Sequence, residues 1–263
     1  MLLYRVLSML STQNGTKEFA LNMKKIILIS LIILTSLTGC AKKDEVVPDT
    51  SSADLYSDAQ HLLSVGGWQQ AIKKLEALDS RYPFGPYSQQ TQLNLIYAYY
   101  KNNDFNLALA SITRFVRINP GHKDLDWLIY MRGLNHMGQD HHFIHDLLNM
   151  DRSDRDPTPA RSAFADFKQL LIRYPKSLFA ADAQKRMIAL KNRLANYDLA
   201  TADFYLRKKA WIAAINRSQE IQKTYPDSLA ARQSLHIQLK AYQQLKLNSL
   251  ITKTEKLIEL NPL

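Results

Sequence analysis

Few residues in this chain are typed and spaced to do chemistry. Four histidines, His136, His141, His142 and His145, gather with Asp140 and Asp146 in one stretch. If that stretch is helical, His141 and His145 share a face and could hold a metal. No cysteine joins them and no His-Glu-x-x-His pattern is present, so a polar loop is the favoured reading and no metal is expected. No glycine-rich phosphate loop and no Gly-x-Ser-x-Gly occurs, and single carboxylates lie on helical stretches where they are ordinarily solvated. The expectation is a protein without catalysis and without a cofactor.

The one thiol has a different context. Residues 23–40 place Lys24 and Lys25 before an apolar run from Ile26 to Leu34, ending at Leu37-Thr-Gly-Cys40. This is the layout of a signal peptide, too short and wrongly flanked for a stable span. Its end looks like a bacterial lipobox, which makes Cys40 the expected lipidation site. One acyl chain binds a membrane marginally, whereas two or more anchor stably. Ala41 stands where an aspartate often retains lipoproteins in the inner membrane, which implies the outer membrane. Residues 1–22 make an unusual preface to such a signal, and translation is expected to start at Met23. The expected divisions are a leader over 1–39 and a lipidated tether over 40–54, polar and interrupted by Pro48.

The net charge of +10 falls by three when Arg5, Lys17, Lys24, Lys25 and Glu18 leave with the leader. No dense basic run remains, so nucleic acid is not an expected partner. Low glycine and proline content with plentiful Ala, Leu, Lys and Gln favours an all-α chain.

An internal repeat then orders that chain. Alanine stands twelve residues before proline at Ala71/Pro83, Ala108/Pro120, Ala163/Pro175 and Ala214/Pro226, with a weaker fifth copy at Leu250/Pro262. Three residues before these anchors come Trp68, Phe105, Ala160, Trp211 and Leu247. The small residue lets two helices approach, the aromatic fills the turn, and the proline ends the second helix. Leu95, Tyr99, Phe105, Ala108, Ile112 and Pro120 fall in the signature positions of the tetratricopeptide repeat, which they resemble. The fold expected is a superhelical solenoid of five tetratricopeptide-like helix-turn-helix repeats. The proline intervals of 37, 55, 51 and 36 residues locate the departures. Repeats 1 to 3 (helix A) are expected over 55–138, an insertion over 139–158, and repeats 3 (helix B) to 5 over 159–263. Leu178 to Leu206, free of proline and glycine, is expected to form one long helix. Asp151-Arg-Ser-Asp-Arg-Asp-Pro157 reads equally as local ion pairs with a helix cap or as a partner contact.

A repeat solenoid presents a concave surface suited to a peptide or a neighbouring domain. The register puts Tyr56, Gln60, Gln90, Leu93, Tyr97, Tyr100, Lys101 and Tyr130 on that surface, with Phe84, Pro86 and Tyr87 framing it. Tyrosines offer rigid amphipathic contact and Lys101 could meet a terminal carboxylate, while some of the set could equally be interhelical packing. Arg217, three residues after Ala214, is the expected partner-binding residue in the C-terminal half, against the alternative of a solvated arginine.

Arg81-Tyr-Pro-Phe-Gly-Pro-Tyr-Ser-Gln-Gln90, Leu95-Ile-Tyr-Ala-Tyr-Tyr-Lys-Asn102, Tyr130-Met-Arg-Gly-Leu134, the Asp151–Pro157 string and Ala210-Trp211 with Asn216-Arg217 carry a family resemblance. From Cys40 almost to its end, the chain resembles the BamD (ComL-like) lipoproteins of the outer-membrane β-barrel assembly machinery. The stretch 136–145 and the extra N-terminal residues depart from that pattern. The resemblance implies a scaffold at the periplasmic face of the outer membrane of a Gram-negative bacterium. Its implied partners are the barrel subunit's last periplasmic domain, other small lipoproteins, and unfolded outer-membrane proteins bearing a C-terminal signal. A pilot lipoprotein for secretin or type IV pilus assembly would share lipobox and repeats, and stands as the alternative.

Overall fold

The computed structural model describes residues 50–140 and 156–263. Cys40, the leader, most of the tether, His141, His142, His145 and all but the end of the Asp151–Pro157 string lie outside the described residues.

The described chain folds into ten helices and no strand. They are α1 Ser52–Ser64, α2 Trp68–Arg81, α3 Ser88–Lys101, α4 Phe105–Ile118, α5 Leu125–Asp140, α6 Thr158–Arg173, α7 Ala180–Arg207, α8 Trp211–Thr224, α9 Leu229–Gln244 and α10 Asn248–Leu260. Each packs on its neighbours in sequence, and α3 also meets α5 as α7 meets α9. This is the solenoid of five helix pairs, with the odd-numbered helices facing one another along one side. Long α7 covers the stretch from which proline and glycine are missing.

The pairs recur because their turns recur. Gly66, Asn103, Lys209 and Lys246, each two residues before a second helix, take left-handed backbone with φ of 78°, 65°, 59° and 56°. In each turn the next N–H reaches back to close the preceding helix, as Asp104 N to Tyr99 O at 2.8 Å and Leu247 N to Tyr242 O at 3.1 Å. Each second helix stops at the residue before its proline: Tyr82, Asn119, Tyr174, Tyr225 and Asn261 share φ between −123° and −133°. The four anchor alanines are fully buried. Leu250, their fifth counterpart by the proline count, is exposed because the turn residue Lys246 stands four residues before it, against five in the other turns; Ile251 takes the anchor's place and packs on the last core cluster.

Two boundaries differ from the sequence expectation. The first helix begins at Ser52, inside the expected tether, because Ser51 Oγ accepts from Asp54 N at 3.2 Å and caps it. At the expected insertion, α5 runs to Asp140 and α6 starts at Thr158, where Asp156 accepts from Thr158 N at 3.0 Å. That bond, with the one from the Thr158 hydroxyl, holds the Asp156 carboxyl below its ordinary range.

The core runs through the helix pairs, centred on Phe115, Phe167, Leu128, Ile112 and Leu170 between α4 and α6. Gly133 on α5 permits this packing, since a Cβ there would stand 2.6 Å from the Phe167 ring. A buried polar cluster ties the same two helices. Asp166 receives Arg132 Nε at 2.7 Å on one oxygen and lies 2.6 Å from His136 Nδ1 on the other. His136 is thereby committed to Asp166. Among the described residues no group of three His, Cys, Asp or Glu side chains is arranged to hold a metal.

Candidate functional site

Each junction between successive first helices is built at a fixed register from the proline between them. Counting 27 residues back from Pro83 gives Tyr56, and counting four forward gives Tyr87. Their rings stack at 4.4 Å and 12°. With the insertion allowed for, the same count around Pro175 gives Tyr130 and Phe179, stacked at 4.8 Å and 19°. Around Pro120 it gives Leu93 and Asp124. The aromatic pair that closes the neighbouring junctions is missing there, and a cleft of about 430 Å³ opens in its place.

Its walls come from three helices. From α3 come Gln90, Leu93, Asn94 and Tyr97; from the start of α5 come Trp127 and Asp126 with Asp124 before it; Leu178 and Phe179 precede α7. Leu178 is 95% exposed and Tyr97 38%, so apolar surface faces solvent inside the recess. Of the two acidic groups, Asp126 is fixed in place, while the Asp124 carboxylate lies 3.8 Å from His122 Nδ1. Asp126 accepts from its neighbour Trp127 N at 2.8 Å and from Ser177 Oγ at 2.7 Å. Asn94 Oδ1 accepts from Gln90 Nε2 at 3.1 Å, while its buried Nδ2 has no partner.

The predicted groove residues separate into groups. Gln90 and Tyr97 line the cleft. Tyr97 also meets Trp68 edge-on at 5.8 Å. Lys101 does not line the cleft; its ammonium lies 5.3 Å over the Trp68 ring, and the cleft's ionisable lining is acidic. Lys101 is exposed, beside the cleft rather than in its wall. Tyr100 packs into the core and tilts against Phe105 at 6.3 Å. Tyr130 is likewise engaged, stacked on Phe179 and donating to Asp182 at 2.6 Å. Burial, and then that hydrogen bond, raise the Tyr130 phenol's pKa; the bond and Arg186 outweigh the Asp182 carboxyl's own desolvation and hold it below its usual range. Tyr56 and Tyr87 occupy each other, Gln60 is half-buried on α1, and Phe84, 98% exposed, is not part of the cleft wall.

Arg217 is exposed on α8. Beneath it Asp198 of α7, raised in pKa by burial against the pull of the Arg161 and Arg217 charges, takes a hydrogen bond from Tyr225. Arg217 is therefore a surface guanidinium whose charge acts on a half-buried carboxylate.

Trp127, Leu178, Phe179 and the two aspartates were missed from sequence. Trp127 stands seven residues after Pro120, as Gln90 stands seven after Pro83, so the same register contained it.

A solenoid of paired helices with an open cleft on its first-helix side, and no helix among the described residues long and apolar enough to cross a membrane, defines a class of repeat scaffolds. A family model described as "Outer membrane lipoprotein" (YfiO) matches residues 48–257. The chain is 64% identical over 241 residues to "Outer membrane protein assembly factor BamD" of Vibrio cholerae, covering 92% of this chain and all of the relative. Relatives of the same description are 38% identical in Neisseria meningitidis serogroup B (91% of each chain) and 33% in Haemophilus influenzae (91% and 92%). The chain belongs to the BamD (YfiO) family of outer membrane lipoproteins, which places it at the outer membrane of a Gram-negative bacterium.

Proposed function

We propose that the chain is a non-catalytic scaffold of the outer-membrane protein assembly complex, needed for folding and insertion of β-barrel proteins. The observation that carries this is the match along the whole length of a relative described as an assembly factor, not as a secretin pilot. In this reading Cys40 carries the lipid anchor, and the C-terminal half holds the last periplasmic domain of the barrel subunit, with Arg217 pairing to a carboxylate. Other small lipoproteins of the complex bind the remaining surface. The cleft between α3, α5 and α7 takes segments of unfolded outer-membrane proteins, with Tyr97 and Gln90 in direct contact and Tyr56, Gln60, Phe84, Tyr87, Tyr100, Lys101 and Tyr130 shaping its surroundings. Site-specific crosslinking in intact cells, from Tyr97 and from Arg217, tests both halves. Capture of unfolded barrel proteins from the first position and of the barrel subunit from the second supports the reading. Recovery of secretin components alone would overturn it.

A further inference from the structure

The cleft is the place where an apolar pair is absent: around Pro226 the same count gives Leu199 and Ala230, which pack together in a core cluster. Tyr56 and Tyr87 close the first junction and Tyr130 and Phe179 the third, whereas Leu93 and Asp124 leave the second open. We propose that a bound segment supplies the missing ring: an aromatic or large aliphatic side chain seated on Leu93, flanked by a lysine or arginine that meets Asp124 and Asp126. This rests on reading the cleft as the peptide site, and it specifies which peptides that site takes.

The ring is argued from the repeat. A side chain entering beside Leu93 finds Tyr97, Trp127 and Leu178 around it and removes their apolar surface from water. The charge is argued from the walls. The lining carboxylates are Asp124 and Asp126; His122 Nδ1 lies 3.8 Å from Asp124, and its ring lines a separate recess with Lys123, Gln89 and Asn119. A cation beside Trp127 and Tyr97 gains from the ring faces as well. The chain's own Lys101 over Trp68 is an example on the same set of helices. A free terminal carboxylate meets only like charge here, so the side chains upstream of a terminus are what the cleft reads.

The test is fluorescence anisotropy on the purified full mature protein with labelled dodecapeptides. All carry one central phenylalanine; its neighbour is lysine, glutamine or glutamate, with the C-terminus amidated. A fourth peptide ends at the phenylalanine as a free acid. The lysine peptide is expected to bind about fivefold tighter than the glutamate peptide, the range of one or two exposed charge pairs, with the gap narrowing as salt rises. Asp124→Asn, at a half-exposed position, brings that ratio toward one and leaves the glutamine peptide unchanged. Asp124→Phe, which restores the aromatic pair found at the neighbouring junctions, blocks all of the peptides while thermal melting reports an intact fold. Equal binding of lysine and glutamate peptides, or tightest binding of the free acid, overturns the charge preference with the peptide site intact. Binding of every peptide that is indifferent to both Asp124→Phe and Tyr97→Ala, or no binding at all, removes the peptide site itself.

Discussion

Substituting Gly133→Ala asks whether repeat 3 is held by close approach of α5 to α6. The added Cβ would lie 2.6, 2.7 and 2.9 Å from three carbons of the Phe167 ring, where ordinary carbon contacts begin at about 3.5 Å. The ring must therefore retreat by most of an ångström. It is fully buried, tilted against Tyr130 at 5.9 Å, and surrounded by the main core, so it has no solvent to retreat into. Overpacking of this kind costs about 1–3 kcal/mol, and alanine returns up to about 1 kcal/mol of helix propensity. A net loss of about 1–2 kcal/mol remains, which lowers Tm by about 2–8 °C in a folded body of this size. Far-UV circular dichroism melts and urea titrations of the purified protein read this directly. Gly121→Ala is the control, since nothing lies within 4 Å of its added Cβ. The double variant Gly133→Ala/Phe167→Leu should be more stable than the sum of its parts, because the smaller side chain vacates the clash. A Gly133→Ala protein as stable as the parent would refute the close-approach account.

Three other perturbations follow from the same structure. Lys246→Gly relieves a left-handed backbone that costs a side chain about 1 kcal/mol, and should raise Tm by a few degrees; a lower Tm would mean the turn is held by the lysine itself. Asp166→Asn leaves Arg132 and His136 without their shared counter-charge in a mostly buried site, and should cost about 2–3 kcal/mol in urea unfolding. Burial raises the Asp198 carboxyl above its ordinary 3.8, so the folded state holds that proton more tightly than the unfolded chain does. Stability from this group is present at acid pH and falls as pH rises from 3.8 through the raised value. Asp198→Asn should flatten that decline, and unfolding curves across the acid range that match the parent's slope would contradict it.

The repeat was legible because its constraints are local. The small residue, the aromatic three before it and the proline twelve after it act within one helix pair, and spacing alone reports them. The left-handed turns were only half legible. Gly66 and Asn103 are residues that adopt such backbone readily, whereas Lys209 and Lys246 adopt it because the helices on either side fix the turn. Arg217 is on the exposed face that its spacing from Ala214 indicates, but Asp198 beneath it comes from another helix, which no spacing within α8 could disclose.

The cleft shows where face assignment stops being enough. Periodicity places Tyr97, Tyr100, Lys101 and Tyr130 on first helices, but not which of them a later segment covers. Phe179, set four residues after Pro175, covers Tyr130 and takes it out of the groove. Trp68, from the second helix of the first repeat, lies 5.3 Å under the Lys101 ammonium, a contact that the register of α3 alone does not disclose. What remains open is decided by a pair 31 residues apart, Leu93 and Asp124, at the register where the neighbouring junctions carry two rings. Helix-by-helix reading cannot see that substitution, because each residue is unremarkable on its own helix. Comparing junctions instead of helices exposes it: the solenoid opens where its own apolar closure, two rings at the neighbouring junctions and Leu199 with Ala230 at the fourth, is replaced by a carboxylate, and the chemistry of that replacement sets what can fill the gap.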